Sequence, residues 1–150
     1  MKKWHVLSKG DDILKLLLKN RGLVHKKDID NFLNPPNPYT LNPKDVGIDA
    51  KQLTKALTRL RKAIKDKESV VVYADYDADG ITAGAVMWET LYSLGARAMP
   101  YIPRRLEEGY GLSEKGIDQV REQFDPTLIV TVDHGITAKE KVSYAKKIGI

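Results

Sequence analysis

Asp75, Asp77 and Asp79 stand at every second position of Tyr73-Ala-Asp-Tyr-Asp-Ala-Asp-Gly80, directly after the apolar run Ser69-Val-Val-Val-Tyr73. Carboxylates this close repel one another, so stability alone gives little reason to keep them together. A divalent cation resolves the repulsion, because hard ions such as Mg²⁺ or Mn²⁺ take oxygen ligands. The competing reading is an acidic turn in which aspartates supply loop hydrogen bonds; alternation directly after an apolar strand favours the metal. An extended chain points all of them to one side, and a turn at Gly80 re-aims the last.

Asp133 repeats the pattern, following Leu128-Ile-Val-Thr-Val132 as Asp75 follows its own strand. If the two strands are neighbours, Asp133 lies beside the first cluster. His134 next to it suits a packing or supporting role better than direct ligation. Pro103-Arg-Arg-Leu-Glu-Glu-Gly-Tyr-Gly-Leu112 reads as a loop with adjacent arginines and a tyrosine between glycines. Arg104 and Arg105 suit phosphate oxygens, and the Tyr110 ring can stack on a base. A solvated turn with an anchoring tyrosine explains the loop equally well by itself; a neighbouring metal site favours phosphate. His5 and His25 have no metal-binding companion nearby in sequence and read as ordinary structural or surface residues.

The elements that must position these groups follow from periodicity. Val70–Ala74, Arg97–Ile102 and Leu128–Val132 read as strands, the first and last buried and the middle one an edge because Pro100 lacks a donor. Helices are expected over 81–94, 113–123 and from the Thr137-Ala-Lys-Glu140 capping box to 148. Trp88 and Tyr92, four apart on the first of these, read as core residues. This alternation predicts an α/β fold with a mostly parallel sheet flanked by helices. Ahead of it, residues 11–21 and 26–33 form a short N-terminal helical segment, and Asn34-Pro-Pro-Asn-Pro38 breaks the chain. A longer helix starts at Asp49 with Gln52 placed as in a capping box. Its apolar positions Leu53, Leu57, Leu60 and Ile64 face a core, while Lys51, Lys55, Arg59 and Lys62 form a solvated face. The expected division is therefore 1–48 as lead-in and connector and 49–150 as the α/β part.

The chain of 150 residues lacks cysteine, which excludes disulfides and thiolate metal sites. No apolar stretch approaches membrane-spanning length, and a cytoplasmic protein with no membrane partner is expected. Net charge is +5, with eight Lys/Arg against four Asp in residues 1–30. A basic surround and an acidic centre suit an anionic substrate gripped through cations, although a solvated basic surface gives the same balance. No P-loop, dinucleotide fingerprint or nucleophile elbow is present.

Tyr73-Ala-Asp-Tyr-Asp-Ala-Asp-Gly-Ile-Thr82, the Tyr101-Ile-Pro-Arg-Arg-Leu-Glu-Glu-Gly-Tyr-Gly-Leu112 stretch and Val130-Thr-Val-Asp-His-Gly-Ile136 together resemble the DHH phosphoesterases. More narrowly they resemble the RecJ-like single-strand-specific exonucleases, and Trp4 and Phe32-Leu-Asn-Pro35 extend the likeness to the start of the chain. The resemblance implies a DHH-type domain hydrolysing single-stranded DNA from 5′ to 3′ with Mn²⁺ or Mg²⁺ in a two-metal site, in DNA repair and recombination. On that template Asp77 and Asp79 are metal ligands, Asp75 a ligand or a support beside them, and Asp133 a further ligand. Arg104, Arg105 and Tyr110 hold the DNA, and a single-strand-binding protein or a helicase is an expected partner. The alternatives are a DHH phosphodiesterase acting on short oligonucleotides or cyclic dinucleotides, and a non-catalytic DNA-binding or replication-scaffold relative. Ala74 stands where the family usually has glycine, and the Asp-His-His motif is expected beyond residue 150, so the chain alone is expected to be weak or inactive.

Overall fold

The computed structural model describes Lys3, His5, Leu7 and residues 9–150; Trp4, part of the resemblance, lies outside the described residues. The chain divides into two compact units, Met1–Ala50 and Lys51–Ile150. In the first, helix α1 (Ile13–Asn20) is capped by Asp12, whose side chain accepts from Lys15 N at 2.9 Å. It stops as the glycine predicts: Gly22 has φ +78°, and Gly22 and Leu23 donate back to Lys19 and Leu18. Helix α2 (Lys26–Leu33) follows, and the proline-rich connector carries two short 3₁₀ turns, Pro38–Thr40 and Pro43–Val46.

The second unit is a layered α/β fold. Helix α3 (Ala50–Lys65) leads into strand β1 (Ser69–Ala74), then α4 (Ala78–Ser93), β2 (Arg97–Tyr101), α5 (Arg105–Glu108), α6 (Glu114–Phe124), β3 (Leu128–Val132) and α7 (Lys139–Lys147). The strands are parallel in the order β2-β1-β3, with Val70 opposite both Ala98 and Leu128. β1 is central and buried from Val70 to Ala74, because alternate residues meet helices on both faces. Val70 and Val72 pack with Ala63 of α3, Leu91 of α4 and Ala98. On the opposite face Val71 and Tyr73 pack with Val120 of α6, flanked by Leu112 and Phe124. Contacts such as Tyr144 Oη to Asp118 at 2.6 Å join α7 to α6 on that same face.

Several expectations change. β3 is half-buried along its whole length, not buried like β1, because it forms the second edge of the described sheet. The segment expected as a loop after Pro103 contains the single turn α5. The Thr137 capping box is not used: Ala138 takes the N-cap position without a side-chain bond. Thr137 is consumed in the preceding turn, where Ala138 donates to Gly135 O at 3.0 Å. Trp88 packs against the core as expected, but Tyr92 is 66% exposed.

The largest correction concerns Gly80, which is not a turn but the third residue of α4. Asp77 starts the helix three residues earlier than periodicity indicates, its Oδ1 accepting from Gly80 N at 2.9 Å. Glycine is required there by proximity. A Cβ at Gly80 would stand 2.5 Å from the Asp75 carbonyl oxygen, and one at Gly84 would stand 2.9 Å from Ala74 Cβ. Two small residues one helical turn apart thus let α4 rest directly on the end of β1.

Candidate metal centre and nucleic-acid grip

The chain runs from β1 through α4 to β2, then crosses back over β1 through α6 to β3. The helices that follow β1 and β3 therefore lie on opposite faces of the sheet, α4 on one and α7 with α6 on the other. Adjacent strands whose continuations part in this way open a crevice at their carboxyl ends, where open α/β sheets bind ligands. Ala74 pairs with Val132, so the residues that follow, Asp75 and Asp133, enter that crevice side by side.

Asp75, Asp77 and Asp133 each bring a carboxylate oxygen to a common point, all within 4.8 Å of one another. Asp75 is buried, 1% exposed, and its Oδ1 accepts from Tyr76 N at 2.8 Å. Asp77 and Asp133 are exposed. Asp133 adopts a left-handed backbone, φ +62°, which short polar residues tolerate better than most, and Gly135 at φ +95° completes the reversal. Asp79 lies in the first turn of α4, outside the triple. It shares an open groove of about 610 Å³ with Asp133, Thr82, Val86 and Met87. Among the described residues no ion pair is made to any of these four aspartates. Exposed as a residue, Asp133 nevertheless has its carboxyl held above the usual range, by local loss of hydration first and then by the charges of Asp77, Asp79 and Asp75. Oxygen donors with unrelieved mutual repulsion fit a hard divalent cation.

His134 is not one of the groups that converge with the aspartates. Its ring meets Tyr73 edge-on at 5.2 Å, and both ring nitrogens are buried without a hydrogen-bond partner among the described residues. Arg105 and Tyr110 come together, and the residue they meet is Tyr76, which the sequence reading did not single out. Arg105 Cζ lies 4.9 Å from the Tyr76 ring centroid, and Tyr110 approaches the same ring edge-on at 6.2 Å. The signal for Tyr76 was its place between Asp75 and Asp77, which on an extended chain sends it to the opposite side. Arg104 departs from its neighbour: its Nη1 lies 3.4 Å from Glu107, and it lines a separate cleft of about 300 Å³ with Tyr101, Glu108 and Gln119.

The sequence pattern of the "DHH family, N-terminal domain" matches residues 69–150, which contain every one of these groups. This chain belongs to the DHH family. Within it, the likeness is to RecJ. The chain is 37% identical over 134 residues to the single-stranded-DNA-specific exonuclease RecJ of Bacillus subtilis, covering 89% of this chain and 16% of that protein. It is 38% identical over 118 residues to RecJ of Thermus thermophilus, again 16% of that protein. Among solved structures, an exonuclease RecJ bound to manganese superposes with a TM-score of 0.58 at 37% identity, over 65% of this chain and 25% of that one. RecJ from T. thermophilus in complex with Mn²⁺ gives 0.57 at 30% identity, over 90% of this chain and 17% of the other. The α/β architecture is thus shared with RecJ, and the chain spans about a sixth of the length of these curated relatives.

Proposed function

We propose that this chain supplies the metal-binding end and part of the substrate grip of a RecJ-like exonuclease, which hydrolyses phosphodiester bonds of single-stranded DNA in the 5′ to 3′ direction. The observation that carries the reading is the convergence of Asp75, Asp77 and Asp133 within 4.8 Å at the crevice between β1 and β3. Residues 49–150 form part of the DHH domain, Asp75, Asp77 and Asp133 hold Mn²⁺ or Mg²⁺, and Asp79 stands ready beside them for a second ion. A divalent cation held there supplies charge stabilisation at a phosphoryl oxygen and an activated water at neutral pH. Arg105 offers its guanidinium to phosphate, while Tyr76 and Tyr110 offer ring faces and edges to bases. Arg104 contributes charge from the neighbouring cleft. The same reading puts the protein in the cytoplasm, in DNA repair and recombination, with a single-strand-binding protein or a helicase as its associate.

Isothermal calorimetry with Mn²⁺ tests the centre. Asp77 caps α4 as well as presenting a carboxylate, so Asp77→Ala confounds two losses. Asp77→Ser keeps an N-cap of similar quality and removes only the charge. Saturable Mn²⁺ binding in the wild type that Asp77→Ser abolishes, with an unchanged thermal midpoint, is the expected result. Equal binding in both would remove the aspartates from the centre. Fluorescence anisotropy then separates the substrates: a 5′-phosphorylated oligothymidylate should bind and compete better than a dinucleotide or a cyclic dinucleotide. Preference for the latter two would indicate a small-substrate phosphodiesterase.

A further inference from the structure

Among the described residues two charged side chains are buried, Asp75 at 1% exposure and Glu108 at 7%. Asp75 belongs to the metal centre; Glu108 does not, and no cation pairs with it among the described residues. Neutral donors surround it instead. Its Oε1 accepts from Arg104 N at 2.7 Å, and its Oε2 accepts from Tyr101 Oη at 2.8 Å. Tyr101 has one hydroxyl proton, which goes to Glu108, so Gln119 turns its amide nitrogen inward. In that orientation Gln119 donates to Tyr101 Oη at 2.9 Å and to Glu108 at 3.0 and 3.2 Å. One carboxylate therefore ties the end of β2, the start of α5 and the middle of α6. Gly116 leaves it the space, since a Cβ there would stand 2.9 Å from Glu108 Oε2.

What Glu108 fixes is the turn that carries Arg105 and Tyr110. Arg104, whose N–H it accepts, is the N-cap of α5; Arg105 is the first residue of that helix; Gly109 and Tyr110 follow Glu108 directly. A four-residue helix has no stability of its own. With Gly109 at φ +87° and Gly111 at φ +66° on either side of Tyr110, the backbone alone does not hold the turn. A buried carboxylate satisfied by three elements anchors it from within, alongside the exposed bond from Lys115 Nζ to Glu107 O at 2.6 Å.

The geometry assigns Glu108 as a positioning residue for nucleic-acid binding: it holds the 104–110 turn so that Arg105 and Tyr110 meet Tyr76 beside the aspartate cluster. This rests on the grip proposed above. Glu108→Ala leaves Arg104 N, Tyr101 Oη and Gln119 without their common acceptor and frees the turn. Glu108→Gln rescues it, because the chain of donors can reverse. The new amide oxygen accepts from Arg104 N and its nitrogen donates to Tyr101 Oη. Tyr101 then gives its proton to Gln119 Oε1, which lies 2.9 Å away in the other amide orientation.

The test uses the 150-residue chain and a fluorescein-labelled, 5′-phosphorylated oligothymidylate read by anisotropy, with Mn²⁺ calorimetry in parallel. Glu108→Ala should weaken oligonucleotide binding at least tenfold, close to Arg105→Ala, while Mn²⁺ affinity stays within about twofold. The double variant should bind no worse than Arg105→Ala, and Glu108→Gln should stay within about threefold of wild type. If Arg105→Ala weakens binding and Glu108→Ala does not, the positioning role is wrong and the grip survives. If neither Arg105→Ala nor Tyr110→Ala weakens binding, the grip itself is wrong and the role of Glu108 falls with it. Should Glu108→Ala fail to fold, Tyr101→Phe removes one donor and leaves the Arg104 bond. A partial loss of oligonucleotide affinity in that variant supports the assignment, and wild-type affinity overturns it.

Discussion

Gly80→Ala is the sharpest perturbation of the way α4 meets β1. The added Cβ would lie 2.5 Å from the Asp75 carbonyl oxygen, and the Asp75 Cα and carbonyl carbon are each 2.7 Å away. All three are backbone atoms of a buried residue and cannot rotate aside, so the helix itself must move. A shift of roughly 0.5 Å reaches only the shortest separation tolerated, and that displacement is already at the limit of what a preorganised site accepts. Overpacking of this kind costs about 1–3 kcal/mol, while replacing a helical glycine by alanine returns up to about 1 kcal/mol. The net loss should therefore be about 1–2 kcal/mol, which lowers the thermal midpoint by roughly 5 °C or more in a domain of this size. Because Asp77 caps the displaced helix and Asp75 supplies the clashing carbonyl, Mn²⁺ affinity should fall together with stability. Circular dichroism melts and Mn²⁺ calorimetry read the two effects. Gly84→Ala is the internal comparison. It meets only Ala74 Cβ, at 2.9 Å, so one methyl rather than a backbone must give way and the loss should be smaller. A Gly80→Ala protein that melts at or above the wild-type temperature and binds Mn²⁺ unchanged would refute the close-approach argument.

Two further outcomes follow from other parts of the fold. Glu68 is held at about 2, down from 4.5, by the Thr127 hydroxyl first and the Arg59 guanidinium second. A carboxylate depressed on folding adds stability that is complete above its unfolded value and lost as pH falls through its folded value. Urea midpoints should therefore decline between about pH 5 and pH 2, and Glu68→Gln should flatten that limb; an unchanged limb would assign the acid sensitivity elsewhere. Trp88 Nε1 donates to Ala98 O at 3.0 Å, tying α4 to the edge strand β2. Trp88→Phe keeps an aromatic ring and orphans that carbonyl, so urea denaturation should show a loss of about 1–3 kcal/mol, and a loss below about 0.5 kcal/mol would mean solvent replaces the bond.

Much of this architecture was legible because it rests on local periodicity. The valine run of β1, the apolar run of β3 and the glycine stop of α1 each announce themselves within a few residues. The pairing of Asp75 with Asp133 was legible for a related reason: both strands end on aspartate, and parallel neighbours in register bring their ends together. The misreadings arise where tertiary contact overrides a local signal. Gly80 reads as a turn because glycine usually supplies conformational freedom, whereas here it supplies the absence of a Cβ against β1. β3 reads as buried because its composition matches β1, whereas burial depends on having neighbours on both sides. Arg104 and Arg105 read as a pair, but a short helix begins between them and sends their side chains to different partners.

The aspartate cluster shows how the chain distributes the cost of holding like charges together. Asp75 accepts a backbone N–H from Tyr76, and Asp77 accepts one from Gly80 at the positive end of α4. Each donor offsets part of the repulsion at the carboxylate it meets. Asp133 stands at the end of a strand, and no hydrogen bond is donated to it among the described residues. It is also the aspartate whose carboxyl is held above its usual range, by desolvation first and by the charges of Asp77, Asp79 and Asp75 after it. The hydrogen-bond donors are therefore not spread evenly: among the described residues Asp75 and Asp77 each meet a backbone N–H, and Asp133 meets none. That asymmetry explains why close packing of α4 on β1 matters here: the helix carries Asp77 and supplies, in its first turn, the Gly80 N–H that meets the Asp77 carboxylate. What the fold leaves uncompensated is the β3 side, and a cation, if Asp75, Asp77 and Asp133 held one, would supply the counter-charge that no ion pair among the described residues provides.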